Sequence, residues 1–219
     1  MEIIITDDGS CTVYDPRVEE TYHSVNGAVT ESKHVFTIAG FNRCSLTFVK
    51  LLEIGFGTGL NAILTWQECI RQNRYVSYTA VEPKPLEIEI INKLDYGKYL
   101  GLDHTGLSVF RRLHQSPCGR EIVIDESFLL NKFYGSVYKF SSEAKYDLVY
   151  YDAFSPEKQP EMWNEKLFGK IFCMMNNGSF LTTYCAKGKV KRMLRAVGFN
   201  LEMLPGAPGK REMIRAIKE

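Results

Sequence analysis

The chain has 219 residues, 45% of them apolar and 24% charged, with a net charge of +1. A chain of this size can bury about 70% of the surface its unfolded form exposes, so one self-standing domain is expected without disulfide or metal staples. No apolar run reaches the ~20 residues of a membrane span, and the balanced charge excludes a globally basic nucleic-acid binder.

Taken in order, residues 2–6 and 11–14 are strand-like and are joined by Asp7-Asp8-Gly9-Ser10, which is hairpin turn chemistry. Residues 1–45 read as a small N-terminal β extension and 46–219 as the core of a single domain. The core alternates: strand 48–54, helix 59–73, strand 75–82, helix 85–99, then helix and loop over 103–118. Strands are predicted at 121–124, 128–133 and 146–151, a helix at 161–175, a strand at 179–184 and a helix at 190–197. Two last strands, 200–204 and 212–217, flank Pro205-Gly206-Ala207-Pro208-Gly209. This alternation predicts an α/β, Rossmann-like fold with a mostly parallel sheet and an antiparallel last strand.

The start, Met1-Glu2-Ile3, lacks the basic and apolar regions of a signal peptide. Six cysteines (Cys11, Cys44, Cys69, Cys118, Cys173 and Cys185) are scattered without a C-x-x-C pair, which argues against zinc and against a disulfide framework. A reduced cytoplasm is the expected setting, with no membrane and no metal.

The most informative stretch is Leu51-Leu52-Glu53-Ile54-Gly55-Phe56-Gly57-Thr58-Gly59-Leu60-Asn61. A buried strand runs into a glycine turn and then a helix, the arrangement of a nucleotide-cofactor cradle. The spacing is G-x-G-x-G, not the dinucleotide G-x-G-x-x-G, and Glu53 sits two residues before the first glycine. A carboxylate there suits a cofactor end bearing an ammonium better than a pyrophosphate, which points to S-adenosylmethionine. Glu82 closes the next strand and is placed to accept bonds from two ribose hydroxyls. A plain strand-to-helix turn would explain the glycines and leave both acids without a purpose.

Asp152 ends the strand expected beside the glycine strand, where open α/β sheets gather their chemistry. The loop after it holds Phe154, Pro156 and Pro160. An amine attacking a methyl sulfonium needs a free lone pair, yet a primary alkylamine has a pKa of about 10.4 and is almost wholly protonated near neutrality. A carboxylate with an ordinary pKa is a poor base for it. Asp152 is therefore assigned mainly to orienting the nitrogen and stabilising its growing charge, with the proton leaving to solvent directly or through Asp152.

Together these residues resemble the methyltransferases that make 5-methylaminomethyl-2-thiouridine at the tRNA wobble position, both the stand-alone form and the methyltransferase half of the bifunctional enzyme. The likeness is carried by Glu31-Ser32-Lys33-His34-Val35-Phe36, the glycine stretch, Tyr151-Asp152-Ala153-Phe154-Ser155-Pro156 with Pro160-Glu161-Met162-Trp163, the run from Thr182 to Gly188, and Gly209-Lys210-Arg211-Glu212-Met213. The resemblance implies methyl transfer from S-adenosyl-L-methionine to the primary amine of 5-aminomethyl-(2-thio)uridine. Asp152 would be the catalytic carboxylate, and Glu53, Gly55, Phe56, Gly57, Gly59, Asn61 and Glu82 would hold the cofactor. It also implies a partner, the tRNA anticodon loop, and no oxidase activity, since the chain ends after the last predicted strand. Lys187, Lys210 and Arg211 are candidates to grip phosphates, with Tyr184, Tyr22 or Trp163 to stack on a splayed base. His23 and His34 read as structural hydrogen-bonders. The third strand's adenine-contacting acid is not plain, so Asp125 and Glu126 receive no such role. The rival readings are an aminopropyltransferase of the polyamine-synthase type, a non-catalytic tRNA-binding relic and a nicotinamide oxidoreductase.

Overall fold

In the computed structural model, which describes residues 1–219, β1 (Glu2–Ile5) and β2 (Cys11–Asp15) pair antiparallel. Asp8 makes the turn between them: its carboxylate accepts from Ser10 N at 3.0 Å and from the Thr6 hydroxyl at 2.8 Å. A short β3 (Glu20–Thr21) completes this three-stranded sheet. The chain then coils through α1 (Ala28–Ser32), a π-helical turn over Lys33–Ile38 and a 3₁₀ turn over Phe41–Arg43.

The core follows as β4 (Phe48–Ile54), α2 (Leu60–Gln72), β5 (Tyr75–Glu82), α3 (Ile88–Ile91), α4 (Tyr96–Leu100), α5 (His104–Gln115), β6 (Glu121–Asp125) and β7 (Phe128–Tyr134). Then come β8 (Tyr146–Tyr151), α6 (Glu165–Cys173), β9 (Met175–Thr183), α7 (Gly188–Val197), β10 (Asn200–Pro205) and β11 (Glu212–Ile217). Eight strands form one sheet in the order β10-β11-β9-β8-β4-β5-β7-β6. Strands β9, β8, β4, β5 and β7 run parallel, and β11 is antiparallel to both of its neighbours. No helix is long and apolar enough to cross a membrane.

Side chains alternate across a strand, and the two central strands bury both faces accordingly. Leu51, Leu148 and Tyr150 join the apolar cluster under α2, α5 and the N-terminal sheet, while Leu52, Val149 and Tyr151 join the one under α6 and α7. Because β4 is flanked by β5 on one side and β8 on the other, the order of connection reverses there. Ile54 lies level with both Val81 and Tyr151, so the carboxyl ends of these strands meet at one rim. A topological switch point of this kind leaves a crevice for a ligand.

Three local expectations change. The helix expected over 85–99 breaks into α3 and α4, since Asn92 and Asp95 are poor helix formers. The helix expected over 161–175 starts only at Glu165, where Asn164 caps it by accepting from Leu167 N at 3.0 Å, and β9 takes over at Met175. The antiparallel β11 is as expected, but β6 is a second antiparallel strand, because Glu126-Ser127 is too short for anything except a hairpin into β7. It is β7 that takes the third-strand place beside β5.

Lys132 on β7 ties the sheet to α5. It is 1% exposed, and its ammonium donates to the Leu113 and His114 carbonyls at 2.8 and 2.7 Å, near the helix end where free carbonyls collect. Lys132→Met should leave those carbonyls without a donor and cost about 2 kcal/mol. Urea unfolding checks this; an unmoved midpoint would contradict it.

Candidate active site

The glycine turn is shaped by what presses on it. Gly55 has φ +93°, and a Cβ there would strike the backbone carbonyl of Asp152. Gly57 has φ +50°, and its Cβ would come within 2.8 Å of the Tyr22 ring. Only glycine allows both the conformation and the approach. Asp152 N donates to the Ile54 carbonyl at 2.9 Å and Gly55 N to Val81 at 3.0 Å, so the ends of β8, β4 and β5 are stitched together.

Over this rim opens a cavity of about 330 Å³. Its walls include Gly55, Phe56 and Gly57 of the turn, Glu82 and Pro83 after β5, Asp152 and Ala153 after β8, and Tyr22 from the N-terminal segment. Apolar walls with a few polar groups and a volume of this order suit a nucleoside-sized ligand.

Besides Asp15 and Glu161 in its wall, three carboxylates stand at or beneath this cavity where the strand ends meet. Glu82 is buried and accepts from Gly57 N at 3.0 Å and from Lys84 N at 2.8 Å. Burial raises its pKa despite those donors. Glu53 is wholly buried and does not reach the cavity wall. Asn61, in the first turn of α2, stands between it and Asp152: the Asn61 amide donates to Glu53 at 3.0 Å and to Asp152 at 2.8 Å. Burial, followed by the nearby Asp152 and Glu82 charges, drives the Glu53 pKa well up against the Asn61 donor. Asp152 is half-buried, and its carboxyl is pushed up to about 7, first by burial and then by the charge of Glu31.

The residues singled out in the sequence separate into two groups. Asp152, Gly55, Phe56, Gly57 and Glu82 line the cavity. Glu53 and Asn61 support it from below, and Gly59 precedes α2 in the left-handed conformation. The cation and aromatic candidates divide further. Lys187 is exposed in an ion pair with Glu157, and Arg211 is exposed. Lys210, in contrast, turns inward to Glu31 and over the Tyr184 ring, whose hydroxyl donates to the Ala153 carbonyl at 2.8 Å. Trp163 is a core residue, 2% exposed, with its indole donating to the Phe154 carbonyl. His34 donates to Pro205 O at 2.8 Å, and His23 pairs with the Thr58 hydroxyl at 2.7 Å while also lining the cavity. Asp125 bonds Trp66 and Ser127. Sequence reasoning missed Ser136, Val137 and Tyr138, which form a cavity wall beyond β7. They carry no recognisable spacing, and only the fold brings them there.

The cavity fits S-adenosylmethionine on structural grounds. Glu82 faces it as a hydrogen-bond acceptor, and beneath the turn Asn61 Oδ1 and Glu53 Oε2 are buried without partners. Unpaired buried acceptors of this kind are costly, but both lie outside the cavity wall, and it is Glu82 that would meet a ligand there.

The raised Asp152 pKa sets a testable sign. The folded protein binds this proton more tightly than the unfolded chain does, since an ordinary aspartate titrates near 3.8 and Asp152 near 7. That stabilisation is whole below about pH 3.8 and is lost as pH rises through about 7. Relative to Asp152→Asn, the natural chain should lose on the order of 3 kcal/mol between about pH 4 and about pH 8, at ~1.4 kcal/mol per pKa unit. Urea unfolding of both proteins at each pH reads the difference; a constant gap would contradict it.

Comparison with known proteins agrees with this geometry. A family model described as S-adenosyl-L-methionine-dependent methyltransferase matches residues 121–219. The tRNA 5-methylaminomethyl-2-thiouridine biosynthesis bifunctional protein MnmC of Magnetococcus marinus is 29% identical over 219 residues, covering 95% of this chain and 32% of that protein. The protein of the same name from Cupriavidus metallidurans is 30% identical over 230 residues, covering 97% of this chain and 33% of its own length. The chain thus spans about a third of the curated relatives it matches. The crystal structure of MNMC2 from Aquifex aeolicus superposes with a TM-score of 0.78 at 23% identity, covering 100% of this chain and 70% of that one, which shows a shared fold. Over nearly its whole length the chain is similar to a part of the MnmC proteins, and it shares a Rossmann-like α/β fold with MNMC2.

Proposed function

We propose that the chain is an S-adenosylmethionine-dependent tRNA methyltransferase that methylates the primary amine of 5-aminomethyl-(2-thio)uridine at the wobble position. The observation that carries this reading is Asp152, a carboxyl held by Asn61 at the rim of the cavity that the glycine turn bounds. The names of the similar proteins support the substrate and favour methyl over aminopropyl transfer.

When bound, the cofactor supplies a methyl group on a sulfonium, which an amine lone pair can attack. Glu82 would hold the ribose hydroxyls, the turn from Gly55 to Gly57 would let the ligand lie close to the backbone, and Glu53 with Asn61 would brace that turn and Asp152 from beneath. Asp152 orients the substrate nitrogen. The sequence alone made it a poor base, but burial changes this. With its carboxyl near 7, the gap to an amine of about 10.4 falls to ~3 units, half of what an ordinary carboxylate leaves. Asp152 therefore also takes the ammonium proton and passes it to solvent.

The exposed cations Lys187, Lys189, Arg192 and Arg211 offer the phosphate-facing surface near this rim. The ion pair of Lys187 with Glu157 is exposed on both sides, so it is weak and exchanges readily for a phosphate.

Mass spectrometry of nucleosides from aminomethyl-modified tRNA, treated with the protein and cofactor, should show the gain of one methyl on the aminomethyl group; unmodified nucleosides would refute the reading. Asp152→Ala should leave cofactor affinity within a few-fold and lower turnover by at least ~10²; near-normal turnover would remove the role. Lys187→Ala with Arg211→Ala should flatten the salt dependence of tRNA binding by up to ~2 charges. An unchanged slope would take both residues out of the interface.

A further inference from the structure

The turn between β10 and β11 turns a cation inward beside the site. Residues 205–211 are fixed from both ends, with His34 donating to the Pro205 carbonyl at 2.8 Å and Gly206 N donating to the Arg211 carbonyl at 3.2 Å. From this turn the Lys210 ammonium pairs with Glu31 and lies 3.9 Å from the centroid of the Tyr184 ring. Both of its partners are independently anchored. The Glu31 side chain is 8% exposed, and its second oxygen accepts from Ser24 N at 2.9 Å. The Tyr184 hydroxyl donates to the carbonyl of Ala153, the residue after Asp152, at 2.8 Å.

These groups adjoin the reaction site. Ser24 follows His23, which lines the cavity, and the charges of both Glu31 and Lys210 act on the Asp152 carboxyl. A carboxylate and an aromatic face, beside a second carboxyl, make a receptor for a small alkylammonium. Lys210 ends in a primary amine on a methylene, the same group that an aminomethyl base carries.

Resting on the function proposed above, we propose that Glu31 and Tyr184 form the subsite for the substrate's aminomethyl ammonium, which Lys210 fills in the free protein and vacates when substrate enters. The subsite selects for charge. A neutral hydroxymethyl group could not compensate Glu31 for the loss of Lys210, because a buried carboxylate without its cation is strongly disfavoured. A substrate ammonium replaces one cation by another, and the displaced Lys210 becomes free to meet an incoming phosphate at the rim.

The alternative is that Lys210 and Glu31 form a permanent structural pair. The full-length chain, saturated with S-adenosylhomocysteine, separates the two in a calorimetric titration with 5-aminomethyluridine and its neutral analogue 5-hydroxymethyluridine. Lys210→Met should bind the amine at least ~5-fold more tightly than the natural chain, because the resident competitor is gone, and should bind the hydroxymethyl analogue no more tightly. The double variant Lys210→Met with Glu31→Gln has no buried charge to strand and should lose that gain. Glu31→Gln alone should raise the KM for aminomethyl tRNA by at least ~10-fold, the scale of one hydrogen bond to a charged group, with cofactor affinity within about twofold. Equal or weaker amine binding by Lys210→Met, or an unchanged KM in Glu31→Gln, would overturn the subsite while leaving the reaction standing. If the natural chain fails to methylate aminomethyl tRNA, the function itself falls and the subsite with it.

Discussion

The site depends on how closely the Gly55 turn lies against the backbone of Asp152. Parallel pairing brings β8 beside β4 in register, and the missing Cβ at Gly55 lets the two strand ends close together. That closeness puts the Asp152 carboxyl within reach of Asn61 on the first turn of α2, while the same amide reaches back to Glu53 at the end of β4. One carboxamide thereby fixes a buried acid and a half-exposed one relative to each other. A larger residue at position 55 would separate the strands before any catalytic group was touched.

Charge explains the rest. Glu53, Glu82 and Asp152 are carboxyls in poor contact with water, and burial raises the pKa of all three. No cation pairs directly with any of them; Asn61 and backbone amides are their hydrogen-bond partners. Such a site favours ligands that carry positive charge, and the proposed ligands bring three such groups: the ammonium and sulfonium of the cofactor, and the ammonium of the substrate. Lys210 answers part of this demand from the side, through Glu31. The cavity is thus matched to positive charge even though the chain as a whole is nearly neutral.

Most of the sheet could be read from the chain because its strands are apolar runs bounded by glycine, proline and acids. Glu82 followed by Pro83 and Asp152 followed by Ala153-Phe154 stop their strands sharply, and these two stops define the rim. The interruption at Asn92 and Asp95 was harder to see, since Ile88, Ile91 and Leu94 are spaced as on one continuous helix. The antiparallel β6 was also hidden, because pairing direction follows from connection length and not from strand composition. Within the site, the glycines and acids carried their own spacing. The direction taken by Lys210 did not. Charge clusters read from sequence look like solvated surface, and only the partner contributed by the distant Glu31 turns this lysine inward.

The central claim is that a neutral-range carboxyl at the sheet's rim receives the substrate's proton during methyl transfer. A single-turnover pH–rate profile on aminomethyl tRNA, with cofactor saturating, tests it most directly. The account predicts a rise with an apparent pKa at or below about 7, since the cofactor's positive charge lowers it, that disappears in Asp152→Asn. A rate that climbs only toward the amine's own ionisation, at about 10, and does so equally in both proteins would contradict it.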